Sequence, residues 1–200
     1  MDALVMCGGD GTRLESAHEK PLHPIDGTPM IERVLAALEA SHIETSYAAV
    51  SPNAPETRTH LESIADGSDV SIHSLETPGD GYVSDLLALL ERDEIEPPVL
   101  TVAADLPLLE GASIDRVLES HACKSRERSL TVCVPVALKH RLGVSVETRL
   151  EEAPHLAPTG LNVVGAGERT DILRSYDPRV AINVNRREDS HRATDLLKDT

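Results

Sequence analysis

Short aliphatic runs alternate with stretches of helical periodicity along this chain, and no other feature restricts the fold as much. Ala3–Met6, Tyr47–Val50, Val70–Leu75, Val99–Ala103 and Leu130–Val136 read as strands. Between them lie helical segments: Pro29–Glu39, with Met30, Val34, Leu35 and Leu38 on one face, then 55–65, 83–90 and 114–121. A last helix is expected over 187–197. A strand that is apolar throughout must be covered on both sides, and an amphipathic helix after each strand supplies the cover. The pattern therefore predicts a single α/β domain over residues 1–200, a mostly parallel sheet with helices on both faces. In such sheets ligands sit beyond the carboxyl ends of the strands, where the strand order reverses. Each polar motif below follows a strand, so all are expected at one edge.

The first strand empties into Cys7-Gly8-Gly9-Asp10-Gly11-Thr12-Arg13-Leu14, with Lys20-Pro21 shortly after. Three glycines leave the backbone bare, and bare N–H groups bind phosphate oxygens at close range. Arg13 and Lys20 add fixed positive charge, which suits a triphosphate. This is neither of the two commonest phosphate loops. No Gly-Lys-Ser/Thr follows the glycines, and the third glycine position of a dinucleotide loop is Leu14. A ligand-free glycine turn between strand and helix is the plain alternative.

Composition narrows the partners. A net charge of -15 argues against nucleic acid, which demands a basic footprint. The chain has no Trp and no Phe, and its three tyrosines make no stacking platform. The longest apolar runs are strand-length, so no membrane span or leader is expected, and the location expected is cytoplasmic. Cys7, Cys123 and Cys133 are odd in number and form no C-x-x-C, the usage of reduced, mostly buried thiols. Cys7 beside the glycine loop is either reactive or simply packed. Acidic residues are dispersed, and only four of the nineteen basic residues are lysines. This resembles the surface of salt-in halophile proteins; the alternative is an ordinary acidic cytosolic chain.

Further motifs follow the later strands. Ser51 and Asn53 in Ser51-Pro52-Asn53-Ala54-Pro55 suit a base or ribose edge, or else cap a helix. Thr77-Pro78-Gly79-Asp80-Gly81-Tyr82 suits a flat base laid against backbone, or is a capping turn for the helix bearing Asp85. Asp105 ends an apolar strand, where a carboxylate needs a cation or a paired partner; Mg²⁺ is the apt ligand, and a helix cap or a salt-bridged Asp the alternative. Asn185, in Asn183-Val184-Asn185, is a neutral oxygen donor that can complete such a shell. Histidines are scattered without metal spacing.

Together, Gly8-Gly9-x-Gly11-Thr12-Arg13, Glu19-Lys20-Pro21-Leu22, Ser51-Pro52-Asn53, Gly79-x-Gly81-Tyr82, Asp105-Leu106, Gly160-x-Asn162-Val163-Val164 and Asn183-x-Asn185 resemble the nucleotidyltransferase family. Within it, they resemble the archaeal branch of adenosylcobinamide-phosphate guanylyltransferases, which is similar to the enzymes that attach GMP to molybdopterin. The resemblance implies a Rossmann-like nucleotidyltransferase fold. It also implies GMP transfer from GTP to adenosylcobinamide phosphate, giving adenosylcobinamide-GDP and pyrophosphate in assembly of the cobalamin nucleotide loop. Carried over to this chain, Arg13, Lys20 and Asp105 are catalytic. Gly8, Gly9, Gly11, Thr12, Arg13, Lys20, Ser51, Asn53, Thr77, Gly79, Gly81 and Tyr82 bind nucleotide. Gly160, Asn162 and Asn183 bind the acceptor, and Asp105 with Asn185 holds Mg²⁺. The irregular segment 139–156 reads as an excursion covering the acceptor side. Asp10 departs from the family pattern, which often has a cation there. Other readings are a molybdopterin guanylyltransferase, a sugar-phosphate nucleotidyltransferase, or a GTP-binding regulator that does not turn over. The oligomeric state is open, a homodimer included.

Overall fold

The computed structural model describes residues 1–9, 11–65 and 72–198. Asp10 and the expected strand start at Val70 and Ser71 lie outside the described residues. In chain order the elements are β1 (Ala3–Met6), β2 (Pro24–Ile25), β3 (Thr28–Pro29), α1 (Met30–Glu39), β4 (Ser46–Val50), α2 (Pro55–Ala65), β5 (Ile72–Glu76), α3 (Tyr82–Leu90), β6 (Val99–Ala103), α4 (Gly111–Ala122), β7 (Ser129–Pro135), α5 (Val136–Leu142), β8 (Leu156–Val164), β9 (Thr170–Arg174) and α6 (Arg187–Lys198).

Among the described residues the main sheet has the order β5-β4-β1-β6-β8-β7-β9, and β2 and β3 form a separate small hairpin. The four strands β5, β4, β1 and β6 run parallel, as the strand–helix alternation requires. β8 is antiparallel to both β6 and β7, and β9 is parallel to β7. From β1 the chain moves outward through β4 and β5, then returns across β1 to β6. The switch point is therefore between β1 and β6, and their carboxyl ends open side by side.

Side-chain alternation along the central strands assigns the two cores. Ala3, Val5 and Cys7 pack with Leu100 and Val102 against Ile31, Val34 and Leu38 of α1 and Ile114 and Val117 of α4. Leu4 and Met6, pointing the other way, pack with Ala49, Val99 and Leu89 of α3. Helices thus cover both faces. With no Phe or Trp in the chain, this interior is aliphatic, and truncating a buried side chain such as Ile114 or Leu100 to Ala should remove about 2–5 kcal/mol.

The strands and helices lie close to where periodicity puts them. The differences lie between residues 129 and 174 and in the β2–β3 hairpin. β7 stops at Pro135 and α5 begins at Val136, so the first turn of the expected excursion is helical; 144–155 is irregular. β9 and the β2–β3 hairpin carry too little periodicity to be read. Cys123 is exposed, whereas Cys7 and Cys133 are buried. Burial pushes the Cys7 thiol up to about 12, which makes it a packed residue rather than a nucleophile.

Candidate active site

A cleft of about 430 Å³ opens at the carboxyl ends of β1 and β6. It is lined by Gly8 and Gly9 after β1, by Ala104 and Asp105 after β6, and by Lys20 and Pro21. Ser51 and Asn53 after β4, and Gly79, Gly81 and Tyr82 before and within α3, complete the lining. So parts of all three connections expected to bind nucleotide, after β1, β4 and β5, meet here with the end of β6. Gly79 is the close approach in that lining. It has φ +80°, and a Cβ there would fall 2.8 Å from Ser51 Oγ.

At the floor, Lys20 Nζ donates to Asp105 Oδ2 at 2.5 Å and to Asn185 Oδ1 at 2.8 Å. The Asp105 backbone carbonyl accepts from Val184 N–H, which ties the segment after Val180 to the end of β6. Asn183 Nδ2 donates to Asp105 Oδ1 at 2.9 Å and to the Thr159 carbonyl at 2.7 Å, and its Oδ1 accepts from Lys139 Nζ at 3.1 Å. Lys139 is buried, and burial lowers its pKa against the opposing pull of Asp105, Asp189 and Glu147. Asp105 is therefore no helix cap. It is a carboxylate with each oxygen assigned, Oδ1 to Asn183 and Oδ2 to Lys20.

The two oxygens expected to hold Mg²⁺, Asp105 Oδ2 and Asn185 Oδ1, meet at one point, the Lys20 ammonium. That point already holds a positive charge and is lined by oxygen. Mg²⁺ fits this donor set, because it takes one or two protein oxygens and fills its octahedron with water and phosphate. Among the described residues there is no cluster of three or more His, Cys, Asp or Glu that could hold a metal by itself.

Arg13 stands elsewhere. With Thr12 it sits on a short 3-10 turn, its side chain 62% exposed, and its guanidinium pairs with Glu147 from the irregular 144–155 segment. Arg186 Nε donates to the same carboxylate at 2.9 Å. The Arg186 hydrogen bond, and then the charge of Arg13, hold the Glu147 carboxyl below the ordinary carboxylate range, against partial desolvation. Gly11, Thr12 and Arg13 do not line the cleft. Nor does Thr77, which is buried with a hydroxyl that has no partner among the described residues.

Of the residues expected to bind the acceptor, Gly160 and Asn183 are neighbours, a Cβ on Gly160 falling 3.6 Å from Asn183 Nδ2, and Asn162 lies apart. Because β8 is antiparallel, its beginning faces the cleft edge, and Gly160 abuts Ala103 at the end of β6. A Cβ on Gly160 would lie 2.8 Å from that of Ala103, so this glycine serves strand packing. Asn162 is two residues deeper in the sheet, where Thr101 Oγ1 joins Asn162 Nδ2 at 3.4 Å and the Tyr82 hydroxyl at 3.2 Å. Asn183 belongs to the floor.

Two organising residues escape the sequence reading, and a third, Asp85, is named there only as part of the helix after the glycine turn. Buried in α3 and lining the cleft, Asp85 accepts from Gly79 N–H at 2.8 Å and Asp80 N–H at 3.2 Å. Those N–H groups precede the helix, so Asp85 fixes the turn rather than caps α3. Glu19 accepts from the N–H groups of Glu56 and Thr57 at 2.9 and 2.7 Å, and so caps α2 in place of Asn53. No local pattern announces a cap from 37 residues upstream. Lys139 could have been singled out only by the scarcity of lysine.

Comparison with known proteins agrees with this geometry. The chain is 29% identical to an adenosylcobinamide-phosphate guanylyltransferase of Methanocaldococcus jannaschii, over 99% of this chain and 98% of that protein. It is 31% identical to the bifunctional protein GlmU of a Synechococcus species over 63% of this chain, which is 27% of that longer protein. The solved CMP:2-keto-3-deoxy-manno-octonic acid synthetase with CTP has the same fold, with a TM-score of 0.65 at 15% identity, covering 99% of this chain and 97% of that one. The MobA-like NTP transferase domain matches residues 3–180, from the first strand to the turn beside the cleft floor. By that match the chain belongs to the MobA-like NTP transferase family, and its enzymatic class is nucleotidyltransferase.

Proposed function

We propose that this nucleotidyltransferase moves GMP from GTP to adenosylcobinamide phosphate and releases pyrophosphate. The observation that supports the chemistry is the convergence of Asp105 Oδ2 and Asn185 Oδ1 on Lys20 Nζ at the floor of the cleft. The choice of acceptor and base rests on the full-length likeness to the Methanocaldococcus guanylyltransferase.

An acceptor phosphate is already ionised, so the transfer requires no general base. Its oxygen attacks the α-phosphorus of GTP in line, a new P–O bond forms, the α–β anhydride bond breaks, and pyrophosphate leaves with the electron pair. The obstacle is the approach of two anions. The protein's contribution is then positioning and neutralisation of charge. Gly8 and Gly9 let the phosphates lie against the backbone, and Lys20 supplies a cation at their side. The Ser51–Asn53 and Gly79–Tyr82 loops hold the base, the second with its backbone fixed by Asp85. Arg13 reaches the phosphates from the rim on leaving Glu147. Asp105 and Asn185 would hold Mg²⁺ once Lys20 turns from their oxygens to the phosphates, and the ion would supply further charge neutralisation there.

The test is α-labelled GTP offered with cobinamide phosphate, molybdopterin or a sugar 1-phosphate in parallel. Label should pass to cobinamide phosphate with one pyrophosphate released per transfer. Transfer to another acceptor alone would refute the acceptor, and faster transfer from ATP would refute the base.

A further inference from the structure

Lys139 is the least expected group near the cleft. It is 4% exposed, it does not line the cleft, and no carboxylate lies within ion-pairing distance of it among the described residues. Burying an ammonium in this way is unfavourable unless something is gained. Its one direct partner is Asn183 Oδ1, and that contact fixes an otherwise ambiguous choice. A side-chain amide has two ends of nearly identical shape. Here a donor that cannot accept, Lys139 Nζ, stands at one end. Two acceptors, Asp105 Oδ1 and the Thr159 carbonyl, stand at the other. Only one orientation satisfies all three.

We propose that Lys139 is a positioning residue. It holds Asn183 with its N–H toward Asp105, occupies Oδ1 of that carboxylate through Asn183, and so leaves Oδ2, the oxygen that now accepts from Lys20, as the one a cation in the place of that ammonium would meet. The inference rests on the reading of Asp105 and Asn185 as ligands of a divalent cation. It also leaves Asn183 no oxygen to offer a cation, because that oxygen is turned toward Lys139. Asn185 and Asn183, two positions apart, thus have opposite duties: one offers an oxygen to the Lys20 ammonium, the other an N–H to the carboxylate beside it.

A charge effect and a positioning effect of Lys139 differ in sign. Removing a cation near a divalent-ion site should by itself tighten metal binding. Losing the alignment of Asp105 should weaken it. The measurement is Mn²⁺ binding in the presence of GTP, followed by the electron paramagnetic resonance signal of free Mn²⁺. The proteins are the full chain, Lys139→Met, Asn183→Ala, the double variant, and Asp105→Asn for reference. Lys139→Met should bind Mn²⁺ at least about fivefold more weakly than the parent. The double variant should be within about twofold of Asn183→Ala, because both changes break the same chain of contacts. Unchanged or tighter Mn²⁺ binding in Lys139→Met, with at least a tenfold loss in Asp105→Asn, overturns the inference and leaves the cation reading standing. So does a double variant whose loss is the product of the single losses. Wild-type Mn²⁺ binding in Asp105→Asn overturns the cation reading and this inference with it. If Lys139→Met does not fold, Lys139→Arg keeps a donor-only cation against Asn183. Binding within about twofold of the parent then supports the proposal, and a loss as large as that of Asn183→Ala overturns it.

Discussion

The floor of the cleft and its rim each hold one of the two cations that the glycine-loop region contributes, and they hold them differently. Lys20, on the floor, has a 15% exposed side chain and is bonded to two oxygens of two distant segments. Arg13, on the rim, has a 62% exposed side chain and is paired with one carboxylate of an irregular stretch. In sequence the two stand seven positions apart and look equivalent. The floor is a built network in which each polar atom of Asp105 and Asn183 has its partner. The rim is a surface ion pair, of the kind that contributes up to about 1 kcal/mol. An ordered floor positions reacting groups with little reorganisation, whereas a rim cation is available to a ligand at small expense.

The sharpest test of this difference is Lys20→Met. It should lower kcat by about 100- to 1000-fold, the range for removing one preorganised charge-stabilising group. Arg13→Ala should lower kcat/KM by about tenfold, equal to about 1.4 kcal/mol, and chiefly through the KM for GTP. Steady-state kinetics with both variants would break the comparison if the Arg13 loss matched the Lys20 loss. Glu147→Gln should act in the opposite direction. Freed from its carboxylate, Arg13 should improve GTP affinity by about two- to fivefold in calorimetry, and a weakened affinity would show that Glu147 presents Arg13 rather than restrains it.

Salt separates floor from rim more gently. Screening falls from about 10 Å at 0.1 M to about 3 Å at 1 M, and it acts on exposed charges first. A chain with 34 acidic and 19 basic residues should gain stability as its self-repulsion is screened. A gain of about 1 kcal/mol would raise Tm by about 2–4 °C between 0.1 and 2 M KCl. A flat or falling Tm would reject the halophile reading of the composition. The smallest effect concerns His23, whose Nδ1 meets Ser16 Oγ at 3.0 Å and Nε2 meets Ser190 Oγ at 2.9 Å, linking the rim to α6. Burial, and then His18, lower its pKa below 6.5, so the folded protein favours the neutral ring. The unfolded chain takes up the proton first as the pH falls. Stability from this group is therefore whole above about pH 6.5 and declines from there down to the lowered folded value. The decline in Tm between pH 7 and 5 should be shallower in His23→Gln; an identical slope would remove His23 as the cause.

Much of this was legible because local signals and tertiary structure agree. Apolar runs gave β1, β4 and β6, helical spacing gave α1 and α2, and glycine-rich turns at strand ends marked the cleft walls. The floor was legible only in part. Asp105 and Asn185 announce themselves as polar groups beside apolar runs, but their joint bonding to Lys20 is a long-range fact. Gly160 and Asn162 are expected together as an acceptor site and share a face of β8, but the strand's reversed direction sets Asn162 one step further from the cleft edge, opposite Thr101. That Arg13 pairs with Glu147 is likewise beyond local signals, because that partner is 134 residues away.

The contact between Lys20 and Asn185 spans 165 positions, whereas the loops after β4 and β5 that line the cleft are complete by Tyr82. On the ribosome, the walls of the cleft therefore exist long before its floor does. Until the segment around Asn185 has emerged and docked on β6, Asp105 lacks the N–H of Asn183 and Lys20 lacks half of its seat. Contacts of such separation form late, because chain entropy must be surrendered before they return anything. Catalytic competence should therefore be the last property this protein acquires in refolding, arriving after the parallel sheet is protected from hydrogen exchange.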